Sequence, residues 1–411
     1  VLHLQGRNDD AERLCREALG AMQRVFGEDH RETLATQGNL AQALQALGRL
    51  EEAEAVYRDS LARHRRALGE EAPETVVAVS NLANLLLARG RFAEAEPVLR
   101  EALAMSRRVL GEEHPDTVTA INNLGFSLQF QGKLAEAEPV EREAVAKYRR
   151  AVGPDHPSTL AAMNNLALLL QDQRKYAEAE ALLREALAGR RRVLGDEHPD
   201  TIACLGNLGR FLQAVGRLEE AEPVLRETLE KKRRVRGPEH PDTITSINNY
   251  GAVLEAMGRP VEAETYYRDA MEKCGRVLGP EHPNTFITMI NTGGALQARG
   301  KAAEAERLLD GVEAAARKAF TGSNARWVAK LLTRRGMART ALGKLDAAEK
   351  DLLEAHPLLL STRGEEHEET RVCVKALVGL YRVRQGSEPS RGWEREAASW
   401  AAKLRPTARA R

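Results

Sequence analysis

At 411 residues, with 61 Lys+Arg against 60 Asp+Glu, the chain carries a net charge of +1, which argues against a nucleic-acid binder that relies on basic excess. Apolar residues make up 43% and aromatics only 4%, so the core is expected to be Leu, Ala and Val in closely packed helices. No apolar run is long enough to span a membrane. Cys15, Cys204, Cys274 and Cys373 lack metal-ligand spacing and read as buried or incidental thiols of a reducing, cytoplasmic compartment.

The chain opens at Val1 without a methionine, and Gly6, Arg7, Ala11, Glu12 and Ala18 already stand in a 42-residue register. This predicts entry partway through a repeat, with the end of a helix A and a helix B over residues 1–26, in a piece of a longer protein. The register is plainest at Gly111–Gly125, GEEHPDTVTAINNLG, which returns at Gly153–Ala167, Gly195–Gly209, Gly237–Gly251 and Gly279–Gly293. Looser copies stand at Gly27–Ala41 and Gly69–Ala83. A strict period of this length is a solenoid signature, and seven regular units fill residues 27–321.

Within the unit that starts at Gly111, the glycine ends one helix where a positive φ is wanted. Pro115 suits the first position of the next helix and Asp116 its first turn, where a negative charge meets the helix dipole. Helix A is predicted over Pro115–Phe130, with Val118, Ile121, Leu124 and Leu128 on its buried stripe. Gly132-Lys133 breaks the chain, and helix B runs from Leu134 to Arg149-Arg150, with Pro139 tolerated near its start. The short turn makes an antiparallel hairpin. Small residues are expected to face each other in mid-hairpin, Gly125 and its equivalents against Ala137 and its equivalents, drawing the axes close. The turn glycine recurs in each regular unit except at Arg174.

Leucine followed by a small residue in helix A, the turn glycine, and alanines at fixed offsets in helix B resemble the tetratricopeptide repeat. The G-x-x-H-P-x-T linker and the 42-residue length look like the longer kinesin-light-chain variety. The resemblance covers Gly6 to about Leu404. It implies an all-α solenoid, a right-handed superhelix of antiparallel hairpins whose helices A line a concave groove. Residues 322–363 read as a degenerate repeat, with the register slipped by one and the helix-A asparagine lost. Residues 364–404 read as a capping repeat, whose last helix, Arg391–Leu404, sets Trp393, Ala397, Trp400 and Leu404 along one stripe. Residues 405–411 read as a flexible tail.

Three columns invite a functional reading. The histidines (His30, His114, His156, His198, His240, His282, His367) lie one repeat apart, about 10 Å, far beyond the roughly 2.1 Å of a zinc–nitrogen bond. Ala72 replaces one of them, and a ring that caps or packs on the next hairpin is the expected role, so no metal site is assigned. The Arg-Arg column (Arg65-Arg66 to Arg233-Arg234) is expected to complement the helix-B dipole and the acidic linkers rather than bind an anion. The asparagine column comprises Asn39, Asn81, Asn123, Asn165, Asn207, Asn249 and Asn291. Helix propensity does not call for it, and an amide suits either a buried structural bond or a bound peptide's main chain.

By the family resemblance, groove amides hold an extended peptide. This carries to the asparagine column, to Asn122, Asn164 and Asn248, and to Gln129, Gln171 and Gln213 near the end of helix A. Gln42, Asn84, Phe126, Leu168, Arg210, Ala252 and Gly294 are then the positions that select side chains. Leu87 and Glu255 depart from the glutamine column. An extended peptide rising about 3.3 Å per residue would meet amides spaced about 10 Å apart at every third residue. The expected function is an interaction scaffold for a protein or peptide, with no cofactor and no nucleic-acid or membrane partner. The alternative is a regulatory module of a larger bacterial signalling enzyme, a Ser/Thr kinase or a nucleotide-binding ATPase. The sequence has no phosphate loop, zinc-protease motif or nucleophile elbow.

Overall fold

The linker and turn columns fix where each helix starts and stops, and they do so through named bonds. A computed structural model describes residues 8–404, and among these every regular element is helical. The chain divides into two compact units, the first ending at Asp196 and the second beginning at Glu197.

The first unit holds α1 (Asn8–Phe26), α2 (Arg31–Ala46), α3 (Leu50–Leu68), α4 (Pro73–Ala88), α5 (Phe92–Val109), α6 (Pro115–Phe130), α7 (Leu134–Ala151), α8 (Pro157–Asp172) and α9 (Tyr176–Leu194). The second holds α10 (Pro199–Ala214), α11 (Leu218–Arg236), α12 (Pro241–Ala256), α13 (Pro260–Val277), α14 (Pro283–Ala298) and α15 (Ala302–Ala319). It continues with α16 (Arg326–Ala341), α17 (Leu345–Arg363), α18 (Glu368–Ser387) and α19 (Trp393–Ala402). From α2 onward, even-numbered helices are the A helices and odd-numbered ones the B helices. In each unit neighbouring helices pack as successive hairpins, and consecutive A helices also touch, as α4 and α6 or α12 and α14 do.

Each histidine of the linker caps a helix A: His114 Nδ1 accepts from the Asp116 amide at 3.2 Å, and His30, His156, His198, His240, His282 and His367 do the same in their own helices. This satisfies one of the free amides of the first turn. The threonine of the linker adds a clasp, with Thr117 Oγ1 donating to the Gly111 carbonyl at 2.7 Å. At the other end of helix A, the Gly132 amide donates to Gln129 O and the Lys133 amide to Leu128 O, both at 2.9 Å. With Gly132 at φ +76°, that is a Schellman cap. The core follows the predicted stripe: Val118, Ile121, Leu124 and Leu128 are buried, as are Ala137, Ala144 and Val145 of α7.

Three expectations need correction. The small helix-A column does not face the alanines of helix B alone; a Cβ on Gly125, Gly209, Gly251 or Gly293 would stand within 3.0 Å of Glu141, Leu225, Tyr267 or Leu309 respectively. The small residue is therefore a socket for a large side chain placed four residues beyond the alanine. Pro139 lies at the sixth position of α7, past the four free amides, so it does remove one helical bond. It is exposed, as is Ala135, whose carbonyl loses the bond. The last helix spans only Trp393–Ala402, because Pro389–Arg391 form a 3-10 turn and Lys403 and Leu404 a second turn beyond the helix end. Helix B of the first, partial repeat is α1 (Asn8–Phe26), while the expected end of helix A, with Val1, Leu2 and Leu4, lies outside the described residues, as does the tail 405–411.

Candidate functional site

Helix A buries one stripe and leaves another outward. The outward stripe follows the helical spacing of about 3.6 residues and passes through the asparagine column. In α4 it reads Val77, Asn81, Asn84, Ala88; in α6, Thr119, Asn123, Phe126, Phe130; in α8, Ala161, Asn165, Leu168, Asp172. The middle two positions of each row are those the repeat columns single out in the sequence. The first lies four residues before the asparagine and the last seven after it, so helical spacing from the asparagine also points to them.

In the first unit the amides bond across repeats. Asn123 Nδ2 donates to Asn84 Oδ1 at 2.8 Å, and Asn165 Nδ2 donates to Asn122 Oδ1 at 3.3 Å. Asn122 Nδ2 lies 3.5 Å from Asn123 Oδ1, at the limit of a bond. Gln129 Nε2 reaches Asp172 of the following repeat at 3.0 Å. Asn39 is exposed on α2, Asn81 and Asn164 are half-buried on α4 and α8, and Gln171 is half-buried near the end of α8. Between α4 and α6 a cleft of about 170 Å³ is lined by Val77, Ser80, Asn81, Asn84, Asp116, Thr119 and Asn123, with Leu99 and Ala102 of α5 behind them. Phe126 does not stand alone beside it. Its ring lies 4.6 Å from that of Phe130 and 6.1 Å from that of Phe92, and Phe130 is 53% exposed. The outlying signal was Phe130 itself, in a column otherwise held by Ala46, Ala88, Asp172, Ala214, Ala256 and Ala298.

In the second unit Asn291 Nδ2 donates to Asn248 Oδ1 at 2.9 Å, repeating the inter-repeat bond. Asn207, Asn249 and Gln213 are half-buried, and Arg210 is exposed on α10. Gly294, expected to select side chains, is instead buried beneath Arg334 of α16, whose Nη1 would lie 2.1 Å from a Cβ at that position. Arg334 pairs with Glu255 at 2.9 Å. Burial alone would raise the Glu255 pKa, but Arg334 and Lys330 outweigh it and hold the carboxyl below its ordinary value.

The Arg-Arg column is committed elsewhere. The second arginine of each pair reaches the acidic linker that opens its own repeat, as in Arg108–Glu71 at 3.0 Å, Arg150–Glu113 at 3.2 Å and Arg234–Glu197 at 2.5 Å. The first reaches helix B of the repeat after, as in Arg107–Glu143 and Arg149–Glu185, both at 2.8 Å. These ladders neutralise the basic stripe, so it is not an open anion surface. Among the described residues no helix is long and apolar enough to cross a membrane. Nor is any group of three or more His, Cys, Asp or Glu among them placed to hold a metal ion.

A family model described as tetratricopeptide repeat matches residues 1–66, 74–150, 118–191, 158–234, 205–274 and 242–318. No curated protein matches the sequence. Among solved structures, the kinesin light chain nearly identical TPR-like repeats of Podosopora anserina share 26% identity, over 50% of this chain and 98% of theirs, at a TM-score of 0.44. The apo quorum sensor NprR from B. thuringiensis aligns over 90% of this chain and 99% of its own, at 15% identity and a TM-score of 0.59. A Rap protein complexed with Competence and Sporulation Factor aligns over 91% and 98%, at 15% identity and a TM-score of 0.55. The last two are likenesses of fold.

Proposed function

The chain belongs to the tetratricopeptide repeat family, and we propose that it works as an interaction scaffold whose outward helix-A stripe holds an extended segment of a protein partner. The observation that carries this reading is the cleft between α4 and α6. It combines amides from two successive repeats (Asn81, Asn84 and Asn123) with the apolar floor of Leu99 and Ala102. An amide that spends one donor on its neighbour keeps a second donor and a lone pair for a ligand's main chain. The bonds between repeats thus pre-orient the ladder rather than exhaust it, and preorganised groups bind at lower entropic cost. The Phe92–Phe126–Phe130 cluster adjoins this row and supplies a surface for an apolar side chain of the segment.

The test is a peptide-display selection against the full chain, followed by measured affinity of the enriched sequences. Replacing Asn123, Asn165 and Asn207 together with alanine is expected to weaken those peptides by at least about tenfold while the helical signal and cooperative melting persist. The reading is overturned if nothing is enriched over an unfolded control, or if the triple variant binds as the parent does.

A further inference from the structure

Arg334 stands eight residues into α16, at the place that asparagine holds in the seven regular A helices. An asparagine there reaches one neighbour, whereas Arg334 crosses the whole of α14. Its Nη1 donates to the carbonyls of Ile290 and Asn291, both at 2.9 Å, and its Nη2 donates to the two oxygens of Glu255 at 2.9 and 3.0 Å. Glu255 lies near the end of α12 and also accepts from the Tyr267 hydroxyl at 2.8 Å. The route over α14 exists because residue 294 is glycine; any Cβ there would occupy the guanidinium's place.

Each wall of this socket is fixed by something other than Arg334. The two carbonyls belong to the interior of α14, Tyr267 is fully buried, and Glu255 is steadied by Tyr267. The acceptors are arranged for a planar fork with two donor edges, which a guanidinium provides and an ammonium does not. The socket also meets the surface, since the Arg334 side chain is 12% exposed and that of Glu255 27%.

We infer that the α12–α14 face is a built guanidinium site which Arg334 fills in cis, so that an arginine side chain from another chain occupies it only when Arg334 is withdrawn. This stretch of the helix-A stripe is then closed to a partner segment in the described state, whether or not a peptide binds the cleft between α4 and α6. The competing internal cation is Lys330, one turn earlier on α16, which lies 3.8 Å from Glu369 and acts electrostatically on Glu255.

The experiment uses the full chain with Arg334→Ala, free arginine as the probe, and lysine and sodium chloride as controls at matched ionic strength. Arginine at roughly 10–50 mM is expected to raise the melting midpoint of Arg334→Ala saturably by about 2–4 °C, with no such response from lysine, from salt, or in the parent chain. Adding Glu255→Gln to Arg334→Ala should weaken the response at least about tenfold, because the bidentate acceptor is lost. If Arg334→Ala is unfolded, recovery of its helical signal by arginine and not by lysine gives the same readout. The inference is overturned by no saturable response, which is also the outcome if Lys330 moves into the site. An equal response to lysine, or one that survives Glu255→Gln, overturns it as well.

Discussion

Glu255 and Arg334, 79 residues apart in the chain, form a two-pronged ion pair of 2.9 and 3.0 Å that ties the A helix α12 to α16 across α14. Each departs from its own column: Glu255, like Leu87, where the other regular repeats carry glutamine, and Arg334 where the seven regular repeats carry asparagine. Two departures that look unrelated along the sequence are therefore one interaction. Removing one partner leaves a largely buried charge, so Glu255→Ala is expected to cost about 3–5 kcal/mol. The Glu255→Ala/Arg334→Ala double variant should cost at least about 1–2 kcal/mol less than the sum of the two single changes. Urea unfolding of the four proteins decides this, and strict additivity would show that the pair is not coupled.

Arg174 takes the place of the glycine between helices A and B, and it adopts the glycine's backbone conformation, with φ at +62°. The cap around it is intact, with the Arg174 amide on Gln171 O at 2.9 Å and the Lys175 amide on Leu170 O at 2.8 Å. The left-handed conformation strains a residue that has a Cβ. Arg174→Gly should accordingly stabilise the chain by about 0.5–1 kcal/mol, less than the full relief because glycine also loosens the unfolded chain. A midpoint that falls instead would mean that the arginine side chain contributes more than its backbone costs.

Much of this molecule was legible because it repeats. The linker Gly-x-x-His-Pro-x-Thr marks the five joints at Gly111, Gly153, Gly195, Gly237 and Gly279, and helix A over Pro115–Phe130 agrees with the period-based prediction residue for residue. What the period hides is contact between repeats. A column follows its own helix, yet Asn165 bonds Asn122 one repeat back, and Arg149 bonds Glu185 one repeat on. The asparagines could not be sorted into structural or ligand-facing from spacing, since in the first unit they bridge neighbours and also line a cleft. The ends were less legible, because Arg334 acts through a partner two repeats away.

The second glutamate of each A-E-A-E run is another contact between repeats, and it makes stability depend on acid. Glu96 accepts from Lys133 of the next repeat at 2.6 Å, and also from Gln131 and Arg100. The Lys133 bond, against the opposing effect of burial, holds its pKa at about 2, down from an ordinary 4.5. A carboxyl lowered in the fold stabilises it above the unfolded value and loses that contribution as pH falls from about 4.5 toward about 2. Glu96→Gln is expected to cost about 1–2 kcal/mol at neutral pH, tempered because Lys133 is 41% exposed. The gap between the two proteins should close over that acid window, and a gap independent of pH would assign the loss to packing instead.

Glu141 carries the opposite dependence. Its column in helix B is otherwise Tyr57, Leu99, Leu183, Leu225, Tyr267, Leu309 and Leu352, all buried. Glu141 is buried too, against Gly125, and neither carboxyl oxygen has a hydrogen-bond partner. Burial raises its pKa from 4.5 to about 8, so the fold keeps a proton that the unfolded chain releases. Its stability is present in full below about 4.5 and is lost as pH rises through about 8, by at most about 1.4 kcal/mol per pH unit. Glu141→Leu restores the residue that the other repeats use most, and it should stabilise the chain by about 2–4 kcal/mol at neutral pH. Glu141→Gln should abolish the same slope while leaving the polar group buried, and so recover only part of that gain. Urea midpoints at a series of pH values from 4 to 9, roughly the span of the two titrations, separate these cases. If the parent and Glu141→Leu run parallel across that range, the carboxyl reaches water in solution and the buried proton is ruled out.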